Sequence, residues 1–301
     1  MQYIEQTITG MDGTTARFIG YVPDNSPEVV PDRTRPTVLI VPGGGYEMTS
    51  DREGEPIALQ FLAADCNAFV LRYSCAPSVY PTALLEVAEA MRLILDHAEA
   101  WHVDPARIAV LGFSAGGHLA ADFATSASDG VLRAHGYDPA LLAPTALMLA
   151  YPVITSGEYR HDGSFRALLG NRYGDEDAMH EVSIEEHIDA RTPPVFVWHT
   201  MPDDCVPVQN TLMLIEACRA AHVPVEAHLF PRRRPWPCAR HRADRMARRQ
   251  WHRTRCASVD RAGPRLAHAH VRRLTRTAIV REIRWQCRFH PSDHHQGRQS
   301  T

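Results

Sequence analysis

Apolar and polar residues change rhythm along this chain in a way that separates strands from helices. Residues 3–9 and 16–22 read as an opening antiparallel pair of strands, followed by a polar, proline-rich connection over 23–36. Continuous apolar runs at 37–41, 68–73, 108–113, 146–151, 195–199 and 225–230 then read as buried strands. Between them, 55–64, 81–101 and 209–221 carry helical patterns. In 81–101 the apolar positions Leu84, Val87, Ala88, Met91, Ile94 and Leu95 recur close to every 3.6 residues. Strands that are apolar throughout, alternating with helices, predict a mostly parallel sheet covered on both faces, an α/β fold. The stretch 162–188 is polar and mixed and is expected to form a lid or a substrate-facing excursion. There is no internal repeat.

Composition divides the chain at one point. The 301 residues are 45% aliphatic and aromatic, enough for one large domain with a sizeable core. The net charge of −3 hides an asymmetry: residues 1–231 carry 13 arginines against 31 acidic residues, and residues 232–301 carry 19 against 4. Lysine is absent throughout. Two halves of one domain seldom differ so sharply. The expected organisation is therefore a catalytic α/β domain over 1–231 and an anomalous arginine-rich tail over 232–301, disordered or poorly packed. Seven cysteines, none in C-x-x-C spacing, argue against a disulfide framework or zinc site and suit a reducing compartment. The N-terminus has neither a basic nor an apolar leader segment, and no run approaches a membrane span. The expectation is cytoplasmic, with no membrane partner.

The chemistry concentrates at Gly112-Phe113-Ser114-Ala115-Gly116, which follows a strand and opens a small-residue helix. G-x-S-x-G in that setting is a nucleophile elbow: small neighbours let strand and helix approach, and the serine Oγ stands clear at the strand end. Acyl transfer by serine also needs oxyanion donors, a base, and a carboxylate to orient the base. Gly43-Gly44-Gly45 leaves the strand before the first long helix, and the N–H groups of Gly44 and Gly45 join that of Ala115 as the expected oxyanion hole, each donor worth about 3–4 kcal/mol. Asp203, in Asp203-Asp204-Cys205-Val206-Pro207 after the strand at 195–199, is the expected carboxylate, with Asp204 as the alternative. His118 and His199 read as local supports. Arg52, Glu53 and Glu55 read either as pocket lining or as a salt-bridged helix start.

These segments carry a resemblance. Val38-Leu-Ile-Val-Pro-Gly-Gly-Gly-Tyr46, Ser50-Asp-Arg-Glu-Gly-Glu-Pro56, Asn67-Ala-Phe-Val-Leu-Arg-Tyr-Ser74, residues 112–120, Tyr151-Pro-Val-Ile-Thr155 and the stretch from Trp198 to Pro207 occur in order. Over residues 37–230 the chain resembles bacterial α/β-hydrolase esterases related to acetylxylan and feruloyl esterases, neighbours of the hormone-sensitive-lipase group. The resemblance implies ester hydrolysis, often deacetylation of plant-polysaccharide sugars, by Ser114, Asp203 and a late histidine. Pro42 stands where relatives often carry histidine, a departure that leaves backbone donors intact.

The late histidine is where the match stops. The resemblance implies F-P-x-G-x-H-G after the last strand, and the chain reads Phe230-Pro-Arg-Arg-Arg-Pro-Trp-Pro-Cys-Ala-Arg-His241. Arginine CGG codons read one base later give glycine, and Pro-Trp (CCA TGG) gives His-Gly. A shift within residues 232–234 thus restores F-P-R-G-G-H-G-L-A-L-A-T. An out-of-frame tail from about residue 232 explains the arginine surge, the charge reversal and the lost motif together. The rival is a genuine tail in which Trp236, Trp251 and Trp285 among arginines meet phosphate backbones. No nucleic-acid motif accompanies them, and no nucleic-acid partner is expected. His241 and His252 are the substitute bases within the printed frame, and His268, His270, His290, His294 and His295 read as solvated.

The function expected is hydrolysis of short-acyl, acetyl-type esters of sugars or small alcohols through an acyl-enzyme on Ser114, with a small-molecule or oligosaccharide ester as substrate. The mechanism calls for no metal or other cofactor. Two alternatives stay open: an impaired or non-catalytic binding protein lacking its histidine, and a peptidase of the same fold. The acyl group, the alcohol and the oligomeric state are not encoded in any motif read above.

Overall fold

A computed structural model of the chain describes residues 1–231. Eight strands form one sheet in the order β1-β2-β4-β3-β5-β6-β7-β8. In chain order the elements are β1 (Gln2–Thr9), β2 (Thr15–Val22), β3 (Arg35–Val41), α1 (Glu55–Leu62), β4 (Asn67–Arg72), α2 (Thr82–Asp96), β5 (Val103–Phe113), α3 (Ala115–Ala124), α4 (Asp129–Ala134), α5 (Pro139–Leu142), β6 (Ala146–Ala150), α6 (Asp162–Leu169), α7 (Glu176–Glu181), β7 (Val195–Thr200), α8 (Gln209–Ala220) and β8 (Val225–Phe230).

β1 pairs antiparallel with β2, and β2 antiparallel with β4; every pair from β4 through β3 to β8 is parallel. The predicted α/β sheet is thus present, with its antiparallel entry at one edge. The reason lies in burial. β6 is buried at every position and β3 at all but one, and successive strand residues face opposite sides. Such strands need cover on both faces, which is why their sequences run apolar without alternation.

Two elements differ from the sequence pattern. The helix expected over 81–101 ends at Asp96, and Trp101 folds back onto Phe18 and Phe69 with ring centroids 6.1 and 5.2 Å away. His97 stacks on that indole at 4.5 Å. Burying the large Trp101 ring in the core outweighs extension of the helix, an override that periodicity does not report. The nucleophile strand begins at Val103 rather than Ile108, because Arg35 pairs with Val103 and lengthens the ladder.

The stretch 162–188, expected as a lid or a substrate-facing excursion, forms α6, α7 and connecting turns packed on the core. Phe165, Leu168, Leu169, Ala178, Val182 and Ile184 are buried within it. No helix among the described residues is long and apolar enough to cross a membrane.

Candidate active site

Ser114 lies at the carboxyl end of β5, in the middle of the sheet, where the chain turns into α3. Its backbone has φ 52° and ψ −120°, a conformation that L-residues avoid and that costs on the order of 1–3 kcal/mol. The surroundings hold it there. Ser114 N–H donates to Ala150 O (3.0 Å), while Ser114 O accepts from Gly117, His118 and Val153 N–H groups. α3 can start this close to β3 only because residue 116 lacks a side chain: a Cβ on Gly116 would overlap the carbonyl oxygens of Val41 and Pro42. The elbow predicted from G-x-S-x-G is present.

The three glycines leaving β3 form the facing wall. Gly44 has φ 142°, and a Cβ there would run into the Met48 carbonyl. Gly43 N–H donates to Glu53 Oε2 (2.8 Å), and Tyr151 OH donates to Glu53 Oε1 (2.8 Å). Glu53 therefore ties the glycine loop to the end of β6, and it faces inward rather than forming the salt-bridged helix start weighed from sequence. Burial raises its pKa, against the lowering effect of the Tyr151 and Gly43 hydrogen bonds. Among the described residues, the N–H groups of Gly44, Gly45 and Ala115 donate to no internal acceptor. They are the donors that the sequence singles out for an oxyanion.

His118 fixes the same wall from behind. Its Nε2 donates to Val182 O (2.8 Å), so Nδ1 is the acceptor for Tyr46 OH (2.8 Å). The ring is fully buried, and that burial lowers its pKa to about 4. It is a neutral strut linking glycine loop, elbow helix and α6–α7 excursion, as its reading as a local support requires. Tyr46 completes the strut; the G-G-G-Y sequence is the signal that marks it.

Two strands from Ser114, β7 ends at the acid loop. Neighbouring strands lie about 4.8 Å apart, so the two strand ends are on the order of 10 Å apart, room for one imidazole between serine and carboxylate. Asp203 Oδ1 accepts from the Cys205 (2.9 Å) and Val206 (3.0 Å) N–H groups. Its side chain is 15% exposed, and Oδ2 lies 3.8 Å from His199 Nε2. Asp204, the alternative, is exposed. His199 is fully buried: Nε2 donates to Val206 O (3.0 Å), and Nδ1 accepts from Thr211 OH (2.7 Å). Burial lowers its pKa. Both ring nitrogens are engaged, so His199 shapes the loop that carries Asp203.

One residue beside the acid loop escaped the sequence reading. His161 caps α6, with Nδ1 accepting from Ser164 N–H (3.2 Å) and Nε2 3.9 Å from Cys205 Sγ. It lies in no motif, and only the fold brings it beside the acid loop. The frame-restored histidine, His241 and His252 all lie outside the described residues.

Residues 26–218 match the BD-FAE family. The chain is 35% identical over 205 residues to endo-1,4-beta-xylanase B of Butyrivibrio fibrisolvens, covering 67% of this chain and 32% of that protein. It is 26% identical over 230 residues to the acetylxylan esterase of Xylanibacter ruminicola, covering 75% of this chain and 44% of that one. It thus spans a third to under a half of the length of these curated relatives. Among solved structures, the acetyl ester-xyloside bifunctional hydrolase of Caldicellulosiruptor lactoaceticus superposes with a TM-score of 0.65 at 36% identity, covering 74% of this chain and 80% of that one. By its family match, its sheet and its elbow, the chain belongs to the BD-FAE family, on the α/β-hydrolase fold.

Proposed function

We propose that the chain is a serine carboxylic-ester hydrolase that removes short acyl groups, acetyl foremost, from sugars or small alcohols through an acyl-enzyme on Ser114. The observation that carries this reading is the strained Ser114 backbone between β5 and α3, together with Gly44, Gly45 and Ala115 N–H groups that donate to no acceptor among the described residues. The names of the relatives, an acetylxylan esterase and an acetyl ester-xyloside hydrolase, support the substrate class.

Ser114 Oγ attacks the ester carbonyl carbon and passes its proton to a histidine. The carbonyl oxygen becomes an oxyanion held by Gly44, Gly45 and Ala115 N–H groups. Collapse breaks the bond to the alcohol oxygen, which takes the proton from the imidazolium. Water, deprotonated by the same histidine, then releases the acid and returns the proton to Ser114. Asp203 Oδ2 orients the imidazole and balances its charge.

The histidine of this scheme belongs to the restored frame, Gly-His-Gly-Leu after Pro231. The residues printed from 232 onward are its out-of-frame translation. A chain truly lacking the base loses about four orders of magnitude or more in rate. The second reading, an inert ester-binding protein, is favoured by one observation: the printed sequence has no histidine in the loop after Phe230.

Sequencing the coding DNA across codons 225–245, followed by acetate release from an acetylated xyloside, tests both. A gained or lost base that reads Gly-His-Gly-Leu, with turnover abolished in Ser114→Ala, is the expected result. An intact printed frame without turnover overturns the enzyme reading in favour of the inert one.

A further inference from the structure

We propose that β1 joins two copies of this chain edge to edge, antiparallel about a twofold axis at Gln6, so that their sheets run on as one. This pairing does not depend on the ester-hydrolase reading.

β1 is a sheet edge with little to blunt it. It pairs with β2 in unbroken register from Gln2↔Val22 to Thr9↔Thr15, and among the described residues β2 is its only neighbour in the sheet. The N–H and C=O groups on its other side are a template for a further strand. Natural edges are commonly protected by proline, by lysine or by a bulge, and Gln2-Tyr-Ile-Glu-Gln-Thr-Ile-Thr9 carries none of these. Its one charged residue, Glu5, is balanced by Arg17 of β2 at 2.7 Å.

The sequence of β1 fits a second copy of itself. A twofold axis normal to the sheet keeps the helix-covered faces on the same side. Even-numbered positions of β1, the more buried ones, then meet even-numbered positions of the second copy. Centring the pair on Glu5 would set two carboxylates directly opposite one another, a destabilising arrangement. Centring it on Thr7 would put the Gln6 amide against Ile8. Centring it on Gln6 sets two amides face to face, each able to donate and accept, and sets Ile4 against Ile8. On the solvent face Glu5 then meets Thr7 of the second copy, and Thr7 lies across from Arg17 in its own sheet. Each carboxylate is thus flanked by its own guanidinium and, one strand further on, by that of the second copy. Beside this edge a recess of about 430 Å³ lies between β1 and α2, lined by Gln6, Ile8, Leu85, Leu93 and Tyr137. Ile4 of the second copy, opposite Ile8, sits at its mouth.

The test uses protein expressed from the native gene. Sedimentation equilibrium at micromolar concentration should give twice the chain mass. Under mild oxidation Gln6→Cys should form a disulfide-linked dimer by itself, because opposed strand residues lie about 4.5–5.5 Å apart at Cα, within disulfide reach. Tyr3→Cys and Thr9→Cys, both at exposed positions, should link to each other when mixed and to no greater extent than the parent when alone. That exposed pair decides the matter if Gln6→Cys does not fold. A monomer overturns the inference, as does a dimer in which either folded combination fails to link beyond the parent's own cysteines. Linking of Tyr3→Cys or Thr9→Cys alone would mean another register and overturns it too.

Discussion

On the serine side of the cleft, backbone shape is decided by what is missing from the side chains; on the acid side it is decided by what the side chains bond to. β3 and α3 meet at Gly116, where a methyl group would overlap two carbonyls, and Gly44 turns beneath Met48 with no room for a Cβ. The acid loop is instead drawn together by Asp203 on two backbone N–H groups and by His199 bridging Val206 and Thr211. A site of the first kind tolerates almost no substitution. A site of the second kind loses its shape bond by bond.

The largest expected difference is in the chemical step. Ser114→Ala removes the nucleophile and should lower kcat for an acetyl ester by about a millionfold, whereas Asp203→Asn should cost about 10⁴. Pre-steady-state and steady-state kinetics check both, and a smaller effect at Ser114 than at Asp203 would reverse the assignment of roles. Next in size is the contrast between Gly44→Ala and Asp204→Ala. The first should misplace the oxyanion donors and lower kcat by about 10²–10³. The second should leave kcat and stability within about 0.5 kcal/mol of the parent, because Asp204 is exposed.

Glu53 sharpens the comparison on the serine side. Glu53→Gln keeps one acceptor and must choose between Gly43 N–H and Tyr151 OH. It should lower kcat by about tenfold with KM little changed, and Tyr151→Phe, which leaves the Gly43 bond in place, should lower it less. Equal effects on KM for both variants would make Glu53 a ground-state binding residue instead.

A separate effect is on stability. Asp122, on α3, is fully buried with Oδ1 unpartnered among the described residues, and burial, with Glu181 nearby, raises its pKa to about 8. The fold therefore keeps a proton that the unfolded chain releases near its ordinary value, and stability from this group falls as pH rises toward 8. His118 works the other way, because its pKa is lowered to about 4; between about pH 4 and 6.5 its rising contribution offsets the fall from Asp122. From pH 6.5 to 8 Asp122 acts without that offset, a loss of about 2 kcal/mol. Urea unfolding at the two pH values should show this loss in the parent and its disappearance in Asp122→Asn. An unchanged slope would mean that the carboxyl is already ionised in the fold.

The contrast between the two sides also explains what could be read from sequence. Steric necessity leaves a contiguous residue signature, so the elbow and the glycine loop were legible as Gly112–Gly116 and Gly43–Gly45, and the parallel sheet as continuous apolar runs. Hydrogen-bonded arrangements leave no such signature. That Glu53 turns to Gly43 and Tyr151, and that His161 meets Cys205 across 44 residues of chain, depends on how separate elements pack. Trp101 ended its helix early for the same reason: its partners Phe18 and Phe69 are distant in sequence.

The central claim, acyl transfer to Ser114, is tested most directly by acid quenching. Protein expressed from the native gene is mixed with an acetylated xyloside, quenched at low pH within milliseconds, digested and examined by mass spectrometry. An acetyl group on the peptide containing Ser114, absent from Ser114→Ala, is the predicted result. Acetate release with Ser114 unmodified at every time point, or an acetyl group on another residue that persists in Ser114→Ala, would contradict it.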